Sequence, residues 1–236
     1  MGEVGGANTS NMSHLDIELH QLKAETIKMW TLVNLQLNKG KESLLRLDKD
    51  LAREVILSER RVNAYELKVD RDCENIFALF NPVAVDLRFV LAVLKINSNL
   101  ERTGDIAEGI AKFVINVDHN FDKQLLEITR GVEMYEAAIN MMVEVLEAFD
   151  KEDTAIARKV FQKDELLDDI NLKANTVVAD YIRSHPDNID AALYLLSIIR
   201  KLERVGDQAK NMAEEIIFYV EAKVLKHRSI VEKNKK

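Results

Sequence analysis

Leu100-Glu101-Arg102-Thr103-Gly104-Asp105 returns later in the chain as Leu202-Glu203-Arg204-Val205-Gly206-Asp207, with one difference in six positions. A duplication of this kind inside a 236-residue chain implies two copies of one structural unit. The surrounding composition says what that unit is made of. Only 8 Gly and 2 Pro punctuate the chain, while 47% of it is hydrophobic and 31% charged, which suits long amphipathic helices and not many short strands joined by turns. The fold class expected is all-α, as two tandem pseudo-symmetric three-helix bundles with six long helices.

Apolar periodicity places those helices. The first runs from about Leu15 to Asn38, where Gly40 supplies a left-handed stop. The second runs from about Asp48 to Leu79, with Leu51, Val55, Val62, Leu67 and Ile76 as its apolar members. Asn81-Pro82 closes it and opens the third, Asn81 accepting from free amides and Pro82 fitting the first turn. The third continues through Leu87, Leu91 and Leu94 to about Val117, and Val117 to Asp122 reads as a linker. The second half repeats the plan near Lys123 to Phe149, Thr154 to Arg183 and Asn188 to Lys226, with His185-Pro186-Asp187 as the last turn. The divisions are therefore a tail at 1–13, a first repeat at 14–118, a second at 119–226 and a basic tail at 227–236.

Glu101 and Asp105 lie four residues apart on one helix face, and so do Glu203 and Asp207. Like charges at that spacing repel, and Gly104 and Gly206 each cost up to ~1 kcal/mol against alanine in a helix interior. A bound cation resolves the first cost, and close approach of a neighbouring helix explains the second. The stripe Leu87, Leu91, Leu94, Ser98, Glu101, Asp105 makes the acids prolong a partly apolar face, where carboxylates must be paired, hydrogen-bonded or metal-bound. The preceding helices add Asp164 and Asp168 in the second half and Glu59 with Asn63 in the first, which antiparallel packing brings opposite the hexapeptides. Oxygen ligands suit Mg, Ca, Mn, Fe or Zn ions. A solvated face, with Arg102 or Arg204 neutralising its neighbours, is the plainer reading of a single copy; duplication favours the metal.

Other classes are disfavoured. With Lys+Arg at 33 against Asp+Glu at 40, the net charge of -7 argues against nucleic acid. A single cysteine, Cys73, fits a reducing compartment, and no run is apolar and long enough for a membrane span, so a cytoplasmic protein is expected. None of the five histidines has a glutamate three residues before it, which removes the Glu-x-x-His pairs of ferritin-like di-iron bundles. P-loops, dinucleotide-binding glycine patterns and nucleophile motifs are missing too.

Pro82-Val83-Ala84-Val85-Asp86-Leu87-Arg88-Phe89 with Leu100 to Asp105, and Leu202 to Asp207 with Ala209, Asn211, Ala213 and Glu214, resemble the two signatures of the PhoU phosphate-uptake regulators. The resemblance spans about His14 to Glu221. It implies paired three-helix bundles and metal sites at Glu101/Asp105, Glu203/Asp207 and Asp164/Asp168; Glu59 remains a candidate from its spacing alone. It also implies a negative regulator of the phosphate-starvation response that links the ATPase of a phosphate ABC transporter to a sensor histidine kinase, touches the membrane only through its partners, and forms a homodimer. Asn63 for Asp168 and Lys112 for Glu214 make the first-half site the weaker of the two by expectation. The rivals are a carboxylate-bridged metalloenzyme and a structural scaffold of another anion or phosphate permease.

Overall fold

The computed structural model describes residues 13–118 and 120–225. Both expected tails lie almost wholly outside that range, as do His119 and His227. Seven α-helices and one 3-10 turn follow in order: α1 His14–Arg46, α2 Lys49–Phe80, α3 Ala84–Asn116, α4 Lys123–Ile128, α5 Gly131–Lys151, α6 Thr154–Ser184, the turn Pro186–Asn188, and α7 Ile189–Glu221. No strand occurs among the described residues.

Local chemistry sets the helix starts. Ser13 and Asp16 form a reciprocal capping box at α1. Asp48 Oδ1 accepts from the amides of Asp50 and Leu51 at the start of α2, and Asp153 Oδ1 accepts from Ala155 and Ile156 at the start of α6. The same cap thus opens the second long helix of each half.

Helices α1, α2 and α3 pack on one another, as do α5, α6 and α7, and the two bundles join where α3 runs against α7 and α1 against α5. The repeats therefore share one continuous apolar core. Trp30 of α1 is fully buried against Phe149 of α5, with ring centroids 5.7 Å apart, and its indole N–H donates to the Met142 carbonyl at 3.2 Å. Phe89 of α3 meets Tyr219 of α7 edge-on at 5.4 Å. Each such aromatic pair adds ~1 kcal/mol to the burial of its rings.

Several expectations need correction. Gly40 does not stop α1; the helix runs six residues further, to a left-handed Leu47. Gly40 instead admits Tyr135 of α5, whose Oη lies 2.6 Å from where a Cβ would stand. Asn81 caps the end of α2 in a left-handed conformation, and α3 begins after Val83 with no side-chain cap. The expected helix from Lys123 to Phe149 is broken into α4 and α5. The break falls at Arg130, which turns left-handed, just after a buried Thr129 whose hydroxyl donates to the Leu125 carbonyl at 2.7 Å. The last helix ends at Glu221, with Ala222 left-handed. Leu67 is 65% exposed, and Leu87 and Leu91 are exposed as well, while Phe89, Val90, Val93 and Ile96 hold the core face of α3.

Candidate functional site

The two hexapeptides lie in α3 and α7, each facing the second long helix of its own half. In the first half a Cβ on Gly104 would stand 2.9 Å from Glu59 Oε2 and 3.1 Å from Val62 Cγ1 of α2. In the second, a Cβ on Gly206 would stand 2.6 Å from Leu167 Cδ2 and 3.0 Å from Asp164 Oδ1 of α6. Glycine is thus what lets a carboxylate-bearing turn press against each hexapeptide. Antiparallel packing brings Glu59 to the Glu101/Asp105 turn and Asp164 to the Glu203/Asp207 turn, so the expected pairing of turns is present.

Burial grades these acids. Glu59 is 5% exposed, its Oε2 accepts from Gln36 Nε2 of α1 at 3.0 Å, and its Oε1 has no hydrogen-bond partner. Burial pushes its pKa up to about 7; the Gln36 hydrogen bond pulls the other way, and Asp105, Glu108 and Glu101 add repulsion. Glu101 is half-buried and is held above the ordinary range by burial, then by Asp105 and Glu66. Asp105 is exposed. Glu66, one helical repeat beyond Glu59, is also raised, by burial and then by Asp70 and Asp105. Asn97 of α3 orients that neighbour, its Nδ2 donating to Asp70 Oδ1 at 2.8 Å and to the Glu66 carbonyl at 2.9 Å.

The second half is built differently. Asp164 is 5% exposed and its Oδ1 is unpartnered, but Oδ2 accepts from Lys210 Nζ at 2.5 Å. The same ammonium reaches Asp207 Oδ1 at 2.9 Å. Burial still raises the Asp164 pKa, with Lys210 opposing it. Glu203 is raised by burial, then by Asp207 and Asp168. Asp168 itself is exposed. The position that Lys210 occupies in the repeat is taken in the first half by Glu108, so one turn carries a built-in cation where the other carries another acid.

Gln36, Glu66, Asp70, Glu108 and Lys210 were not among the residues singled out from sequence. Glu59, Asn63, Glu66 and Asp70 follow steps of four, three and four along α2, which marks one helix face and was a readable signal. Lys210, three residues beyond Asp207, was readable in the same way. Gln36 lies on α1, which the repeated hexapeptide does not mark, and only packing brings it to Glu59.

As the side chains stand, no three carboxylate, imidazole or thiol groups converge on one point among the described residues. The chemistry of the first turn nevertheless fits a hard or borderline cation. Glu59, Glu101 and Asp105 offer only oxygen ligands, none of the three is ion-paired to a lysine or arginine among the described residues, and Glu59 presents a buried oxygen without a donor. Glu59, Glu101 and Asp105 would hold such an ion, which would supply the counter-charge that the turn lacks. The second turn fits it less well, because Lys210 already neutralises Asp164 and Asp207.

The fold and the two turns define a duplicated helical bundle whose halves each set a carboxylate turn against a glycine. The chain belongs to the PhoU family: the family model of the PhoU domain matches it twice, over residues 26–114 and 132–216. It is 34% identical to the phosphate-specific transport system accessory protein PhoU homolog of Aquifex aeolicus, across 92% of this chain and 97% of that protein. It is 30% identical to PhoU homolog 1 of Thermotoga maritima, across 90% and 91% respectively. The crystal structure of PhoU from Pseudomonas aeruginosa superimposes with a TM-score of 0.80 at 30% identity, covering 89% of this chain and all of that one. PhoU from Streptococcus pneumoniae, described as a phosphate transport system regulatory protein, gives 0.78 at 27% identity, covering 90% and 99%. No described helix is long and apolar enough to cross a membrane.

Proposed function

We propose that this chain is a negative regulator of the phosphate-starvation response, a cytoplasmic metal-binding adaptor that couples the ATPase of a phosphate ABC transporter to a sensor histidine kinase. The observation that carries the reading is similarity over about nine-tenths of the chain to proteins named as accessory proteins of the phosphate-specific transport system. The acid turns supply the metal part: a divalent or trivalent ion, of iron, zinc, manganese or magnesium, would sit first at Glu59, Glu101 and Asp105. Binding without turnover is favoured over a carboxylate-bridged metalloenzyme by where the histidines stand. His14 stacks on Phe80 and His185 on Tyr181, at helix ends away from both turns. A homodimer that meets the membrane only through its partners completes the proposal.

Deleting the gene in a strain without a paralogue tests it. Phosphate-starvation genes should stay on in phosphate-rich medium, and the wild-type gene should switch them off again. Normal repression in the deletion strain refutes the regulator and favours the scaffold of another permease. Complementation by a folded Glu101→Gln, Asp105→Asn, Glu203→Gln, Asp207→Asn variant separates the roles of the metal. Full repression makes the ion structural or incidental, and lost repression makes it part of the signal.

A further inference from the structure

The repeat also duplicates an arginine. Arg102 of α3 and Arg204 of α7 occupy the same position in their hexapeptides, and both line one open cleft of about 340 Å³ on the seam between the bundles. Lys201 and Lys112 line it as well, with Asp105 and Glu108 as the acids present. Four cations thus face two carboxylates, and Glu108 is already bound to Lys112 at 2.6 Å.

Arg102, Arg204 and Lys201 make no ion pair or hydrogen bond among the described residues. The Lys201 side chain crosses from α7 onto α3, where Gly109 makes room: a Cβ there would stand 2.5 Å from its Nζ. Its ammonium lies 5.8 Å from the centroid of the Phe113 ring. Two exposed guanidinium groups and a half-buried ammonium, none of them engaged by an acceptor, leave their donors free for an anion.

We propose that this cleft binds a phosphoryl oxyanion, gripped by the Arg102 and Arg204 guanidinium groups with Lys201 beneath it. Two guanidinium forks from opposite walls match the several oxygens of a tetrahedral anion, and an unpaired ammonium adds a point charge. The chemistry is common to free inorganic phosphate and to the phosphoryl groups of a mononucleotide, and the cleft is open enough to admit either. Asp105 on its wall opposes the anion, so the acid turn and the cleft share one residue. The inference stands on the cations alone and does not need the turn to hold metal.

The test is calorimetric titration of the full-length, chelator-treated protein with inorganic phosphate and separately with ADP, at constant ionic strength set with sodium chloride. Saturable binding is expected. Arg102→Gln with Arg204→Gln should weaken it by roughly tenfold or more, and Asp105→Asn should strengthen it. Arg53→Gln with Arg183→Gln, two exposed arginines elsewhere, should leave it unchanged. All three variants should keep the wild-type circular dichroism and melting temperature, because the residues changed are exposed. Saturation by phosphate alone names the free anion as ligand, and saturation by ADP alone names a nucleotide. Heat that does not saturate with either, or binding that survives the double arginine change, overturns the proposal, as does weaker binding in Asp105→Asn.

Discussion

Gly104 of α3 lies against the carboxylate of Glu59 in α2, so closely that a Cβ on the glycine would stand 2.9 Å from Glu59 Oε2. The atom it would meet is the free end of a flexible side chain, so the conflict is relieved by moving the carboxylate. Helix propensity favours alanine by ~1 kcal/mol, and the tight Val62 contact at 3.1 Å takes some of that back. Gly104→Ala should therefore change unfolding free energy by no more than about 1 kcal/mol while displacing Glu59 from the acid turn. Manganese titration should show affinity for the first half falling roughly tenfold. Unchanged affinity would mean that the glycine serves helix packing alone.

Gly40 and Tyr135 make a cleaner packing pair. The Tyr135 hydroxyl is fully buried, has no hydrogen-bond partner, and fills the space where a Gly40 Cβ would be. Removing an unsatisfied buried hydroxyl is neutral or stabilising by up to about 1 kcal/mol, so Tyr135→Phe should be at least as stable as wild type. Gly40→Ala alone should cost about 1–3 kcal/mol through overpacking. In the Phe background the next ring atom is 3.8 Å away, an ordinary contact, and Gly40→Ala should become neutral or stabilising. Chemical denaturation of the four proteins measures the coupling, and an additive cycle would show that the hydroxyl is not what excludes the methyl group.

Glu59 also predicts a pH dependence in protein stripped of metal. Burial holds its folded pKa at about 7, against 4.5 for an ordinary glutamate. Between those values the folded chain keeps a proton that the unfolded chain has lost, so the contribution is fully present below about 4.5 and disappears as pH rises through 7. The chelated protein should melt at a lower temperature at pH 8 than at pH 5. Glu59→Gln, which still offers Gln36 a carbonyl to bond, should flatten that slope. A slope as steep in Glu59→Gln as in wild type assigns it to other groups.

The fold was legible because the signals were local. A repeated hexapeptide, a shortage of glycine and proline, and apolar spacing along the helices give the two bundles and the order of their long elements. What was not legible depended on partners distant in sequence. Gly40 has the look of a helix stop until Tyr135 is seen beside it. Leu87 and Leu91 fit an apolar stripe by spacing, but Phe89, Val90 and Val93 take the core face and leave them outside. At the acid turns the repeated residues and the facing Glu59 and Asp164 were readable from spacing. Their unequal neutralisation was not, because it depends on where one lysine side chain comes to rest.

That lysine predicts the opposite order of affinities from the one expected by counting acids. Asp168 and Glu214 in place of Asn63 and Lys112 suggested a tighter second site, yet Lys210 Nζ stands 2.5 Å from Asp164 Oδ2 and 2.9 Å from Asp207 Oδ1. A metal ion entering there must displace an ammonium from a buried carboxylate, whereas at the first turn Glu59, Glu101 and Asp105 make no ion pair with a lysine or arginine among the described residues, and the buried Glu59 is held by the amide of Gln36. In a Glu101→Gln, Asp105→Asn background, which silences the first turn, manganese should therefore bind weakly. Adding Lys210→Met should lower stability in chelator by about 1–3 kcal/mol, since it leaves Asp164 buried without its partner. It should also raise manganese affinity at least roughly tenfold and let manganese restore the lost stability. The methionine chain keeps most of the apolar contact of the lysine stem, so the loss reports charge and not packing. If manganese binds the silenced protein as tightly before the lysine is removed as after, the ammonium is no barrier and the second turn is not governed by it. If it binds in neither case, the second set of acids is no metal site at all.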